Sequence, residues 1–205
     1  LWVTDGTTAG TILFKDVYPG SMRSSITQLI VYNGKLYFDA NDGTNGRELW
    51  VSDGTAGNTV MFKDINPGSN ASGPWQFTIC NGKLFFSADD GSKGTELWVT
   101  DGTVAGTKML KDINTTPTNG SNAGYFTAFG NRLFFRASDS TNHALLWVTD
   151  GTPDSTYSIK PSASTQVGPL DNASRFIVFN NALYLSPKFS SVNGEFWKIT
   201  PASSG

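Results

Sequence analysis

One heptapeptide is written four times along the chain, and its spacing limits what the chain can become. LWVTDGT stands at 1–7, LWVSDGT at 49–55, and LWVTDGT again at 97–103 and 146–152; a shorter copy, FWKIT, stands at 196–200. The tryptophans of these copies, Trp2, Trp50, Trp98, Trp147 and Trp197, lie 48, 48, 49 and 50 residues apart. A fixed period of this length marks a repeat architecture, in which one unit buries its faces only against copies of itself. It constrains the fold and names no chemistry.

Within one period the residues spell four strands. In the unit 28–66, QLIVYNG is a β-rich run ending in Asn33-Gly34, the pair a tight hairpin needs because both central residues take positive φ. KLYFDAND follows, Asp42-Gly43 opens the next turn, RELWVS is the third strand, and TVMFKDIN is the fourth, stopped by Pro67-Gly68. The units 76–114 and 125–162 repeat this a-b-c-d plan, and a last unit draws on 1–17 plus 175–205. Runs such as LIVY and VMF are apolar on both sides of a strand, so both faces of each sheet need cover. Sheets stacked around an axis provide it. The expected fold is therefore all-β: a single-domain β-propeller over residues 1–205, with four blades of four antiparallel strands.

In that fold the phased tryptophans are filler between blades. Asp5, Asp53, Asp101 and Asp150 of the DGT copies are turn residues, bonding back to nearby amides. Strand order also predicts how the ring closes. The d strand at 11–17 would complete the C-terminal a-b-c sheet, with the c copies at 1–5 and 195–200 competing for one slot. The alternative is a larger ring, completed by upstream residues or by a second chain. The chain opens in mid-repeat without an initiator Met, which predicts either removal of a segment or a longer chain.

Composition removes several function classes. Hydrophobic residues at 38% and aromatics at 13% support a packed core rather than disorder. A formal charge of −2 lacks the basic face that phosphate neutralisation needs, so nucleic acid is not an expected partner. No apolar run approaches the ~20 residues of a membrane helix, and no signal-peptide pattern stands at the front, so membrane insertion is not expected. Cys80 is the single cysteine, which excludes an intrachain disulfide and reads as a buried small hydrophobe. Asn70, Asn114, Asn119 and Asn172 each open an N-x-S/T sequon, a possible N-glycosylation site.

The strings ELWVSDGTAGNTVMFKDINPGS and CNGKLFFSADDGSKGTELWVTDGTVAGTKMLKDIN resemble the ELWxxDGT repeat family over about residues 1–147. That resemblance implies propeller-forming proteins, mostly large, secreted or cell-surface and bacterial, with no shared catalytic activity. The third unit departs from the pattern, with LLW for ELW and SDSTNHA for the DDG turn, and the fourth lacks the DGT. The DGTxxGT hairpin also bears a looser likeness to the sialidase Asp-box.

Candidate chemistry sits at a few positions. Asp39, Asp42, Asp89 and Asp90 cluster around the b–c turns and have the oxygen ligands calcium prefers, but no EF-hand spacing, so turn-forming is the expected role. Glu48 and Glu96 recur with Lys15, Lys63 and Lys111. Recurrence in phase points to cross-strand ion pairing rather than to a catalytic carboxylate pair, which is needed once. His143 stands alone in a turn, with no second ligand for a metal. Trp75 is the tryptophan outside the repeat position, on the link where other units carry Thr27, Gly124 or Ser174, and it is the candidate contact residue for a glycan or a protein.

The expected function is a non-enzymatic extracellular structural or interaction module, secreted or on the cell surface, binding other chains or itself. A carbohydrate-binding lectin propeller is the alternative, and a glycoside-hydrolase-like enzyme the third reading. No catalytic residue and no cofactor beyond calcium is expected.

Overall fold

The structure, a computed structural model, describes residues 1–116, 118–141, 144–159, 176–185 and 197–200. No helix occurs among them. Seventeen strands follow the repeat in order. β1 (Trp2–Val3) and β2 (Ile12–Leu13) make a hairpin. The first complete sheet holds β3 (Leu29–Tyr32), β4 (Lys35–Asn41), β5 (Arg47–Ser52) and β6 (Val60–Lys63). The second holds β7 (Trp75–Cys80), β8 (Lys83–Asp89), β9 (Thr95–Thr100) and β10 (Lys108–Lys111). The third holds β11 (Gly124–Phe129), β12 (Arg132–Ser138), β13 (Ala144–Thr149) and β14 (Tyr157–Ser158). A three-stranded sheet of β15 (Phe176–Phe179), β16 (Ala182–Leu185) and β17 (Trp197–Ile199) ends the series. Every pairing is antiparallel and joins strands adjacent in sequence within a sheet.

The turns form where the residues require. Asn33 and Gly34 both take positive φ (49° and 72°), as do Asn81 and Gly82. At each DGT the aspartate holds its own turn. Oδ1 of Asp53 accepts the Thr55 amide at 2.9 Å and the Thr55 hydroxyl at 2.7 Å, and Asp5, Asp101 and Asp150 repeat the bonds to Thr7, Thr103 and Thr152. These donors hold all four carboxyls below the usual aspartate range, with the threonine hydroxyl the larger influence. Behind each turn a hydroxyl pair closes the hairpin, Ser52 with Thr59 and Thr100 with Thr107 at 2.7 and 2.6 Å.

Successive sheets stack face to face as propeller blades. Tyr37, Leu49 and Val51 of the first complete sheet pack on Leu84, Phe86 and Trp98 of the second. Phe85, Leu97 and Val99 of the second meet Leu133, Phe135 and Trp147 of the third, and Phe134, Leu146 and Val148 of the third meet Leu183 and Leu185 of the last. Each tryptophan therefore faces the sheet before it. Trp50, Trp98 and Trp147 are 7%, 6% and 8% exposed. The inner strands β3, β7, β11 and β15 are neighbours in sequence order, as strands nearest a common axis must be.

Two expectations need correction. The d strand at 11–17 does not complete the last sheet: β2 pairs with β1, and β16 carries β17. The DGT turn joins β1 to β2 directly, so the local pairing forms at little loop-closure cost, whereas the other joins opposite ends of the chain. The β1–β2 hairpin instead stacks as its own layer, with Leu1 and Val17 against Phe38, Ala40 and Trp50. As a result Trp2 is not filler between layers. It is 66% exposed. The side chain of Trp197 lies outside the described residues.

Candidate functional site

Strand direction sorts the loops onto two surfaces. The DGT turns and a–b hairpins share one, and the b–c turns and d-to-a links share the other. The second surface carries the residues that do not repeat. Its foundation does repeat. Glu48, the second residue of β5, is fully buried, and its carboxylate accepts the amides of Ile65 and Ser72, both at 2.8 Å, and the Ser72 hydroxyl at 2.6 Å. Glu96 does the same with Ile113, Asn114 and Ser121. Burial pushes both carboxyls above the ordinary glutamate value, against the pull of these donors. The expected ion pairing with lysine is therefore corrected: these carboxylates bind backbone amides, and each staples the link that leads to the next blade.

On that base the inner strands begin with a bulge. Pairing in β7 shifts register between Trp75 and Thr78, and in β11 between Gly124 and Thr127. The extra residues, Gln76 and Tyr125, sit at φ 58° in both sheets, a left-handed conformation that ordinary side chains avoid. The bulges are tied together across blades. Gln28 Oε1 accepts the Gln76 amide at 3.2 Å, and Gln76 Oε1 accepts the amides of Tyr125 and of Phe126, the latter at 3.4 Å. The Arg136 guanidinium lies 5.9 Å from the centre of the Tyr125 ring. Trp75 is 44% exposed and Tyr125 42%, on neighbouring inner strands. Two half-exposed rings on neighbouring strands, one of them beside a guanidinium, suit a flat, hydroxyl-bearing ligand or a protein loop. Nearby, Asp89, Asn114, Asn119, Asn122 and Ser138 line a polar cavity of about 370 Å³.

The aspartates proposed for calcium are spoken for. Asp39 is fully buried, accepting the Thr27 amide at 3.0 Å, the Gln28 amide at 2.7 Å and the Thr27 hydroxyl, and it forms an ion pair with Arg47. Asp42 accepts Thr44 and Asn45 amides at 2.8 Å, Asp89 the Gly91 amide at 2.7 Å, and Asp90 the Ser92 and Lys93 amides at 2.8 Å. Burial alone raises the Asp42 and Asp90 carboxyls, and these turn donors outweigh it, so both end below the usual range. Among the described residues no three His, Cys, Asp or Glu side chains converge.

Other positions resolve as follows. Cys80 is buried in the core between the second and third sheets, which pushes its thiol up. Asn70 and Asn119 are exposed. Asn114 is 2% exposed and its side-chain amide donates to Gly120 at 3.4 Å, so the folded chain does not present it for glycosylation, a correction to the sequence reading. His143 and Asn172 lie outside the described residues.

The repeat pattern of the sequence masks Arg47, Gln76, Tyr125 and Arg136. The signal that finds them is the reverse one. Asp39, Ser87 and Arg136 share one position of the second strand, and Arg47, Thr95 and Ala144 share one of the third. Residues that vary in a constant frame mark the one-off surface.

No family model and no curated protein sequence matches the chain. Among solved structures it is similar to an alpha-L-arabinofuranosidase from Clostridium thermocellum ATCC 27405, at 17% identity and a TM-score of 0.34, over 87% of this chain and 68% of that one. A likeness of that size transfers no activity.

Proposed function

We propose that the chain is a non-enzymatic, self-assembling interaction module, acting outside the cell or on its surface as a member of the ELWxxDGT repeat proteins. One observation carries this reading: the glutamates, DGT aspartates and buried tryptophans that recur in phase are each engaged in holding the fold. The glutamates hold link amides, the DGT aspartates hold turns, and the buried tryptophans fill spaces between blades. The Glu48 and Glu96 carboxylates and those of the DGT aspartates are thereby occupied with amide and hydroxyl donors rather than set up for acid–base work. The reading is tested by incubating the chain with chromogenic glycosides across pH 4–8. The expected outcome is no turnover above buffer. Turnover abolished by Asp39→Asn or Glu48→Gln overturns it.

A second reading, carbohydrate binding, is favoured by the half-exposed Trp75 and by the half-exposed Tyr125, which lies beside Arg136. The equivalent positions in the first sheet are Thr27 and Gln28, so such a site occurs once rather than once per blade. A glycan array probed with the chain and with Trp75→Ala separates the two readings.

A further inference from the structure

The second strands of the three complete sheets carry Asp39, Ser87 and Arg136 at one shared position, and the three are satisfied differently. Asp39 is fully buried and ion-paired with Arg47. The Ser87 hydroxyl donates to the Ala123 carbonyl. Arg136 is half-buried, and Ala144 stands in β13 where β5 has Arg47, so that strand brings it no opposite charge. The ion pairs among the described residues join Arg47 to Asp39 and Lys93 to Asp112, and neither includes Arg136. Its guanidinium lies 5.9 Å from the centre of the Tyr125 ring, a contact that leaves its N–H donors unused. A charge half withdrawn from water without a partner is unfavourable, and an arriving anion removes that penalty.

Gln76 adds donors to the same place. Its Oε1 is taken by the Tyr125 and Phe126 amides, and among the described residues its Nε2 donates to nothing. A Cβ on Gly124 would stand 3.0 Å from that nitrogen, so the bare glycine leaves room for it. Gly124 is the strand partner of Arg136. Trp75 is the strand partner of Ser87, and Ser87 reaches Ala123, the residue before Gly124. One row of adjacent residues therefore runs across two blades from an exposed indole, past an unused amide N–H pair, to an unpaired guanidinium.

We propose that this row binds an acidic sugar, with the anionic group on Arg136 and Gln76 and the sugar ring stacked on Trp75. The proposal goes beyond the interaction-module reading and rests on the second, carbohydrate-binding one. The anionic group is a carboxylate or a sulfate ester, either of which matches the parallel N–H bonds of a guanidinium. A sugar suits the row better than an acidic peptide for a reason of hydrogen-bond balance. The row offers donors and an aromatic face, and its amide acceptor is already used. Sugar hydroxyls accept as readily as they donate, whereas a peptide brings backbone N–H groups that need acceptors.

Calorimetric titration of the chain tests this with four probes: trigalacturonate, its full methyl ester, a sulfated galactose trisaccharide and an oligoglutamate peptide. The natural chain is expected to bind trigalacturonate at least tenfold more tightly than the uncharged ester, with the preference shrinking as salt is raised. A preference for the sulfated sugar in its place assigns the sulfate ester. The ratio of acidic to neutral affinity is expected to fall toward one in Arg136→Gln and in Gln76→Glu. The second variant keeps an acceptor for the Tyr125 amide and puts a negative charge where the N–H donors stood. The comparison of probes on the natural chain needs neither variant to fold. Equal affinity for trigalacturonate, its ester and the sulfated sugar overturns the proposal and leaves the carbohydrate reading standing. No binding of any sugar overturns both. Tighter binding of oligoglutamate than of the acidic sugars overturns the proposal in favour of an acidic peptide, and so does an undiminished acidic preference in Arg136→Gln in favour of another site.

Discussion

The Glu48 carboxylate accepts the Ser72 hydroxyl at 2.6 Å and the Ser72 amide at 2.8 Å, across 24 residues of chain. That contact ties the third strand of one blade to the link that starts the next. Removing the acceptor leaves the Ile65 and Ser72 amides buried without partners. Glu48→Ala is therefore expected to lose about 3 kcal/mol of unfolding free energy. Glu48→Gln, which keeps one acceptor oxygen, loses less. Urea unfolding measures both, and equal losses for the two variants contradict the amide-staple role.

The same two glutamates make stability depend on pH. Burial raises the Glu48 and Glu96 carboxyls, so the folded state binds their protons more tightly than the unfolded state does. Their contribution is fully present below the unfolded glutamate value of about 4.3 and is lost as pH rises through the raised folded value. The DGT aspartates run the other way. Their lowered carboxyls contribute above the unfolded aspartate value of about 3.9, and that is lost as pH falls through the folded values. In melting experiments the advantage of the natural chain over the double variant Glu48→Gln/Glu96→Gln is expected to be largest near pH 4 and to narrow toward pH 7. A gap that widens over that range defeats the assignment.

Trp98 and Trp2 occupy the same repeat position in opposite surroundings, 6% and 66% exposed. Trp98→Ala opens a void against the first complete sheet and is expected to destabilise by about 3–5 kcal/mol. Trp2→Ala is expected to change the stability of the isolated chain by less than about 0.5 kcal/mol. Denaturation at low protein concentration, where association is absent, compares them. A large effect of Trp2→Ala there means that Trp2 is covered within one chain.

The period of the tryptophans and the Asn-Gly and Asp-Gly turns made the blade legible, because both are local. A hairpin turn declares itself in two residues, and a strand in its apolar run. The partners of Glu48 were not legible, since Ser72 sits in a link whose sequence differs from unit to unit. Ring closure is illegible in the sequence for a related reason. Counting strands shows which are available, and it does not weigh the short DGT connection between β1 and β2 against a pairing of distant ends. The one-off surface of Gln76, Tyr125 and Arg136 escaped because it is made by departures from the repeat, and the repeat drew the reading.

Gly94 and Gly120 meet backbone to backbone, a role invisible in a sequence where both read as turn residues. A Cβ on Gly120 would overlap the Thr95 backbone, and one on Gly94 would overlap Gly120. Gly94 also holds φ at 69°. The b–c turn and the link of the second blade are locked at this point. Gly120→Ala is expected to destabilise by about 2–3 kcal/mol through overpacking. Gly57→Ala, where a Cβ meets open space, is expected to stay within about 0.5 kcal/mol. Equal effects at the two sites contradict the close approach.

Trp75 begins an inner strand, 44% exposed, and pairs across the strand with Ser87. Its indole belongs to none of the four core clusters. Trp75→Ala is therefore expected to leave stability within about 0.5 kcal/mol. A stacked ring contributes to binding by its exposed face, so any glycan or partner that uses this surface is expected to lose affinity at least tenfold with this variant, about 1.4 kcal/mol. Tyr125→Ala removes the neighbouring ring while retaining the amide that Gln76 accepts. The pair of variants distinguishes a shared aromatic platform from a lone contact. Loss with both assigns the platform, loss with Trp75→Ala alone assigns a single stacking residue, and retention with both removes this surface from the functional reading.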